Sequence, residues 1–310
     1  MNTQSNAVPE ASFQPQGIAP TAISPGRILY WSIRRELWEN RSIYIAPLAV
    51  AGVVLFGFLL ALIHLPQKMR GVSTLNPKQQ SQLIGQAFDA APGLIMVTFL
   101  IVTVFYCLDA LYGERRDRSI LFWKSLPVSD LTAVLSKTSI PFVILPLFAV
   151  AIAMVTQFIM LLLSSAVLRA SGHGVAALWD QFPLFRMSLL LLYHIFTVHV
   201  LWAAPLYAWL LLVSAWARRA VFLWAVLPPF TISVLEKMLL NTSHFATMLL
   251  YRFSGGGLEA LTVPGTMPMD PMTQITPERF LSAPGLWIGL VVAAAFLFAA
   301  VRLRRYRGPI

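Results

Sequence analysis

The chain has 310 residues, 57% hydrophobic and only 12% charged, with a mean hydropathy of +0.71. A soluble globular domain carries about 25% charged residues, so this inventory cannot clothe a water-facing exterior. The formal charge of +10 does not point to nucleic acid, because Lys and Arg gather at the ends of apolar runs, where membrane-orientation signals belong.

Residues 1–24 contain no Lys or Arg and are rich in Pro, Ser and Gln. They lack the charged start and apolar core of a signal peptide, and a disordered tail is expected. Residues 25–310 form the second unit, a membrane domain. Ser24-Pro25 then offers an N-cap and a first helical residue. In the following stretch Tyr30, Ile33 and Leu37 recur at i, i+3 and i+7, flanked by Trp31 and Trp38, with Arg34, Arg35, Glu36 and Glu39 between them. The pattern predicts an amphipathic helix in the headgroup layer, or an ordinary basic flank that anchors the first span.

Six apolar runs follow, at about 43–65, 92–112, 140–168, 184–217, 220–240 and 286–303. Each meets or nearly meets the ~18–20 residues that an α-helix needs to cross ~30 Å of hydrocarbon. They are continuous rather than alternating, which excludes a β-barrel and predicts an all-α, polytopic protein with six transmembrane helices. With the N-terminus inside, the inner segments hold 15 Lys and Arg and the longer outer segments hold 8. The positive-inside rule therefore places both termini in the cytoplasm.

The segment from Gly113 to Ser129 is the most distinctive stretch between spans. Glu114, Arg115, Arg116, Asp117 and Arg118 are followed by four consecutive apolar residues, Ile120, Leu121, Phe122 and Trp123, and Pro127 stops any helix. Such a cluster marks a surface that meets a partner, or it dips into the membrane interface or packs under neighbouring helices. Asp109, near the inner end of span two, is within reach of Arg115 and Arg116. On the outer side, Asn76-Pro77 predicts a short helix. Phe245–Phe253 is too short to span and either re-enters the outer leaflet or caps the bundle. Pro47, Pro141, Pro146, Pro205, Pro228 and Pro229 lie inside spans and permit kinks.

Chemistry-bearing motifs are missing. No phosphate-binding loop occurs, and Gly-Lys is not found at all. There is no His-Glu-x-x-His or paired-Cys metal motif, and the single Cys107 permits no disulfide framework. His194 and His199 are five apart, about 140° around an α-helix, so they are expected on different faces. No catalytic residue, cofactor or metal ligand is assigned.

Three of these features together resemble the permease subunits of ABC-2-type transporters. They are the basic segment Trp31–Arg41 before span one, six spans with both termini inside, and the loop Tyr112–Ser129 with its acidic and basic start, apolar patch and Pro127-Val128-Ser129 end. Arg118-Ser119 departs from the Gly-Thr that many members carry. The resemblance implies a permease subunit, more often exporting than importing, in a cell membrane (a bacterial inner membrane). It implies a separate ABC ATPase subunit that binds the ATP, a second permease subunit, identical or related, and contact with membrane lipid. Glu114, Arg115, Arg116, Arg118, Ile120, Leu121, Phe122 and Trp123 would then be the ATPase-coupling residues. Trp31, Arg34, Arg35 and Trp38 would mark the interfacial helix. A self-contained secondary carrier or channel and a non-transporting scaffold are the alternatives the residues leave open.

Overall fold

The computed structural model of the chain describes residues 24–62, 77–125, 128–170, 175, 178–179, 183–254 and 277–307. Residues 1–23 of the expected tail, Pro127 and the Gly255-Gly-Gly257 stretch lie outside the described residues. Among those described the secondary structure is entirely helical. In chain order the helices are α1 (Pro25–Glu39), α2 (Ser42–Leu62), α3 (Pro77–Asp109), α4 (Tyr112–Arg116), α5 (Ser119–Ser125), α6 (Asp130–Ser139) and α7 (Leu145–Ala170). They continue with α8 (Leu184–His194), α9 (Ala204–Trp216), α10 (Val221–Leu240), α11 (His244–Ser254), α12 (Pro277–Ser282) and α13 (Pro284–Tyr306).

Among the described residues six helical stretches are long and apolar enough to cross a membrane: Ser42–Leu62, Ala90–Arg116, Asp130–Ala170, Leu184–Trp202, Val221–Leu240 and Pro284–Tyr306. The fold is that of a multi-pass membrane protein. Its outward side chains agree with that. Phe56, Phe105, Phe230, Val291 and Phe298 are all more than half exposed, an arrangement that water penalises and hydrocarbon does not.

The helix boundaries differ from the sequence expectations in three places, each with a local cause. Pro77 does not begin a separate short helix. It opens α3, which continues through Pro92 to Asp109. Span three is joined to α6 through π-helical turns at Ile140–Ile144 around Pro141. Proline cannot donate to the preceding turn, and the chain widens rather than breaks. The 184–217 run is not one unbroken helix. α8 widens into π-helical turns over Ile195–Trp202, stops at Ala203, and restarts as α9 with Pro205 in its first turn. The segment 244–254, left open between re-entry and a cap, is the helix α11.

The main core gathers Ile43, Phe99, Ile140, Leu145, Ile195 and Leu211 from α2, α3, α7, α9 and both π-helical segments. α9 is packed most extensively against α13, and α2 lies against α3 and α7. At one end, Arg252 of α11 donates to the carbonyls of Trp202 and Gly285 and sits 4.5 Å from the Trp202 ring. That contact ties α11 to the break after span four and to the start of α13. Burial holds the Arg252 guanidinium below its ordinary pKa, and Tyr251 offsets part of that. Glu236 of α10 accepts from the backbone N–H of His244 (2.7 Å) and of Phe245 (2.8 Å), satisfying two donors at the start of α11.

Candidate functional site

At the opposite end from α11, the chain buries a chain of charges. Lys137 of α6 lies 2.7 Å from Glu36 Oε1 of α1 and 3.2 Å from Glu114 Oε1 of α4. Glu114 Oε2 accepts from Arg304 Nη2 of α13 at 3.0 Å, and Arg304 Nη1 reaches Asp130 Oδ1 at 2.7 Å. Tyr106 of α3 donates its hydroxyl to Glu36 Oε2 at 3.1 Å. The side chains of Glu36, Glu114, Lys137 and Arg304 are all at most 8% exposed, and that of Asp130 is 26% exposed. Three carboxylates and two cations thus bind α1, α4, α6 and α13 to one another.

Such a cluster is costly to bury and stands only because each charge has a partner. Its position reduces that cost. Glu36 precedes span one, Glu114 ends span two, Asp130 and Lys137 begin span three, and Arg304 ends span six. All lie at helix ends rather than at mid-membrane depth, where an ionised side chain is most expensive. Their juxtaposition also puts α1, the first loop and the end of α13 at the same end of the bundle.

Local sequence explains how each group is presented. α1 buries Ser32 and Glu36, four apart on one face, with Ile33 and Leu37 packed beside them against the core. Tyr30, expected on the apolar stripe, is exposed. Arg34 lies 5.1 Å from both the Trp31 and Trp38 rings on the outer face. α4 is fixed by Ser214 of α9, whose Oγ accepts from the N–H of Leu111 (2.9 Å) and of Tyr112 (2.8 Å). Ser129 caps α6 by accepting from Thr132 N–H, and Asp130 follows in the first turn, where a negative charge meets the helix dipole favourably.

The residues singled out in the first loop divide into two sets. Glu114 and Arg115 face inward. Arg115 Nη1 donates to the carbonyl oxygens of Ala215 (2.8 Å) and Ala217 (3.1 Å) at the end of α9. Ile120 is 1% exposed and also belongs to the interior. Arg116 is exposed between Asp117 and Asp109, 3.6 Å away. Leu121 and Phe122 are more than half exposed and form an apolar edge on α5. Trp123 is partly covered by Arg35 of α1, whose guanidinium carbon lies 3.9 Å from the ring centroid. Arg118 is exposed, with a left-handed backbone (φ 59°), and separates α4 from α5.

The two histidines require a correction. His194 and His199 were expected on different faces, but their rings meet edge-to-face with centroids 5.3 Å apart. The π-helical turns that begin at Ile195 pair residues i and i+5, and this brings the rings onto one face. Among the described residues no three His, Cys, Asp or Glu side chains are placed to hold a metal ion.

Glu36, Tyr106, Asp130, Lys137 and Arg304 were not singled out from the sequence. Lys137 and Arg304 register there only as orientation charges, and Glu36 as one polar position on a helix face. The arrangement has no nucleophile paired with a base. What it does is structural: it ties α1, α4, α6 and α13 to one another at one end of the bundle.

No family model, no curated protein and no solved structure matches the chain.

Proposed function

We propose that the protein is the transmembrane permease subunit of an ABC-2-type exporter in a bacterial inner membrane, driven by a separate ATPase. Both termini and the 112–125 loop face the cytoplasm. α1 lies at the cytoplasmic membrane surface, and a second permease subunit, identical or related, completes the substrate route. The observation that carries this reading is the division of labour in the first loop. Glu114 is rooted in the charge cluster while Leu121 and Phe122, seven and eight residues on, are more than half exposed and form an apolar edge. A partner gripping that edge would pull on α1, α6 and α13 at once. This is the physical content of coupling, a bundle whose arrangement is biased by an event elsewhere. In this reading Arg116 and Arg118 orient the partner by charge, and Glu114 and Arg115 transmit rather than touch.

The test is purification of the intact chain from its native membranes in mild detergent. An ATP-hydrolysing chain with a phosphate-binding loop is expected to accompany it. Leu121→Asp with Phe122→Asp should lower the recovered ATPase activity about 30-fold, the effect of removing an apolar anchor from an interface, with the yield of the permease unchanged. Full ATPase recovery with that double variant, or gradient-driven transport by the isolated chain without nucleotide, overturns the proposal.

Orientation has its own check. In a Cys107→Ser background, Arg118→Cys is expected to react with a membrane-impermeant maleimide only from the cytoplasmic side, and Asn241→Cys only from the other. The native thiol is fully buried, so the background substitution removes little signal. Labelling of both from the same side removes the six-span topology.

A further inference from the structure

The short connection between α9 and α10 forms, with the end of α13, a cavity of about 560 Å3 lined by Trp216, Ala217, Arg218, Arg219, Trp224 and Arg307. That volume is within the range of small-molecule sites. Its chemistry is one-sided. Three guanidiniums line it and no carboxylate does. Among the described residues no ion pair engages Arg218, Arg219 or Arg307. Arg307 Nη1 instead donates to the Trp216 carbonyl (2.6 Å), which holds the end of α13 against the wall. A fourth guanidinium, Arg115, bonds the Ala217 carbonyl from behind that wall.

The remaining surface is aromatic. The rings of Trp216 and Trp224 meet edge-to-face at 4.7 Å. α10 begins beside the cavity from Ala220, a residue in the left-handed region that provides no side-chain cap. The positive end of that helix therefore adds to the arginines rather than opposing them. Every lining residue sits at the end of an apolar helix or in the connection between two. This is the depth at which a bilayer presents its headgroups and at which tryptophan is favoured.

Uncompensated arginines this close together repel one another, and a chain gains nothing by gathering them unless an anion completes the set. Arginine forks match phosphate oxygens bidentately, and the tryptophan faces suit the glycerol and first methylenes behind a phosphodiester. Basic pockets between transmembrane helices are recurrent sites for anionic headgroups. We propose that this cavity binds a phosphate-bearing anion, with the headgroup of an anionic phospholipid as the occupant its depth favours. The inference stands on the cavity alone and does not depend on the transporter reading.

The experiment places the full chain in nanodiscs of phosphatidylcholine with and without phosphatidylglycerol and measures retained lipid by native mass spectrometry. Wild type is expected to keep one phosphatidylglycerol in preference to phosphatidylcholine. Arg218→Gln with Arg219→Gln should reduce that retention about 30-fold, at the scale of one surface charge–headgroup interaction per arginine. Arg302→Gln with Arg305→Gln removes the same charge from exposed positions of α13 that do not line the cavity, and should leave retention unchanged. Equal losses in both pairs would reveal diffuse surface attraction and overturn the site, as would undiminished retention in the first pair. If the glutamine pair does not yield folded protein, Arg218→Lys with Arg219→Lys keeps the charge and loses the fork. It should weaken retention measurably, and wild-type retention there overturns the bidentate site. A second arm titrates inorganic phosphate and glycerol phosphate into phosphatidylcholine nanodiscs, read by tryptophan fluorescence. Binding there that depends on Arg218 and Arg219, without a phosphatidylglycerol preference, supports the phosphate site and assigns it to a soluble ligand. Binding in neither arm overturns it.

Discussion

Lys137→Met should lower the thermal midpoint of the detergent-solubilised protein by about 10 °C, the scale of a 3–5 kcal/mol loss when one partner of a buried ion pair is removed. Methionine keeps the apolar stem and most of the volume, so packing changes little and the effect isolates the charge. Without the ammonium, Glu36 loses its 2.7 Å partner and retains only the Tyr106 hydroxyl, while Glu114 must rely on Arg304. The cost is therefore that of stranded carboxylates, and it should be partly recoverable. Glu36→Gln combined with Lys137→Met removes the stranded charge nearest the missing ammonium and is expected to melt several degrees above Lys137→Met alone. Such non-additivity is the signature of direct contact. A Lys137→Met variant that melts within about 2 °C of wild type, the range of an ordinary surface substitution, would show that the cluster does not hold the bundle together.

The second large effect is expected at Arg304. Its guanidinium serves two carboxylates on two different helices, Glu114 of α4 and Asp130 of α6. An ammonium has one compact charge and cannot reproduce that fork, so Arg304→Lys is not a conservative change. We expect Arg304→Lys to lose a large part of the stability that Arg304→Ala loses, and both to free the last turn of α13. Amide hydrogen exchange would read this directly, with faster exchange confined to the end of α13 and to α4 in the lysine variant. Exchange in Arg304→Lys indistinguishable from wild type would mean that charge alone, without the fork, fixes the terminal helix.

Much of the architecture was legible because a bilayer imposes a simple rule. A run of about 20 apolar residues, such as 43–65 or 286–303, has little alternative to a spanning helix. The departures came from the backbone rather than from hydropathy. Nothing in the composition of 184–217 distinguishes an unbroken helix from one that widens at Ile195 and restarts at Pro205. The histidine pair has the same cause, since an α-helical angle separates His194 from His199 and the π-helical turns bring them together.

The charge cluster was hidden differently. Its members lie at 36, 106, 114, 130, 137 and 304, and no spacing in the chain announces that Lys137 sits between two glutamates about 100 and 20 residues earlier. Glu114 was singled out, but as a contact for a partner. Its burial shows that it is first of all a root for its own loop. Ile120 likewise looked equivalent to Leu121 and Phe122 as one apolar run, and only the helical register of α5 separates the inward residue from the outward pair.

Arg118 is the corner between α4 and α5, and it holds a backbone conformation that a side chain tolerates at a cost of about 1 kcal/mol. The turn at Asp117 and Arg118 therefore keeps Tyr112–Arg116 and Ser119–Ser125 as two separate rods. Were Arg118 to relax into the right-handed region, the rods would merge and Leu121 and Phe122 would take a new heading while Glu114 stayed anchored. The direction in which the apolar edge points is therefore set by this corner rather than by the charge cluster that anchors Glu114.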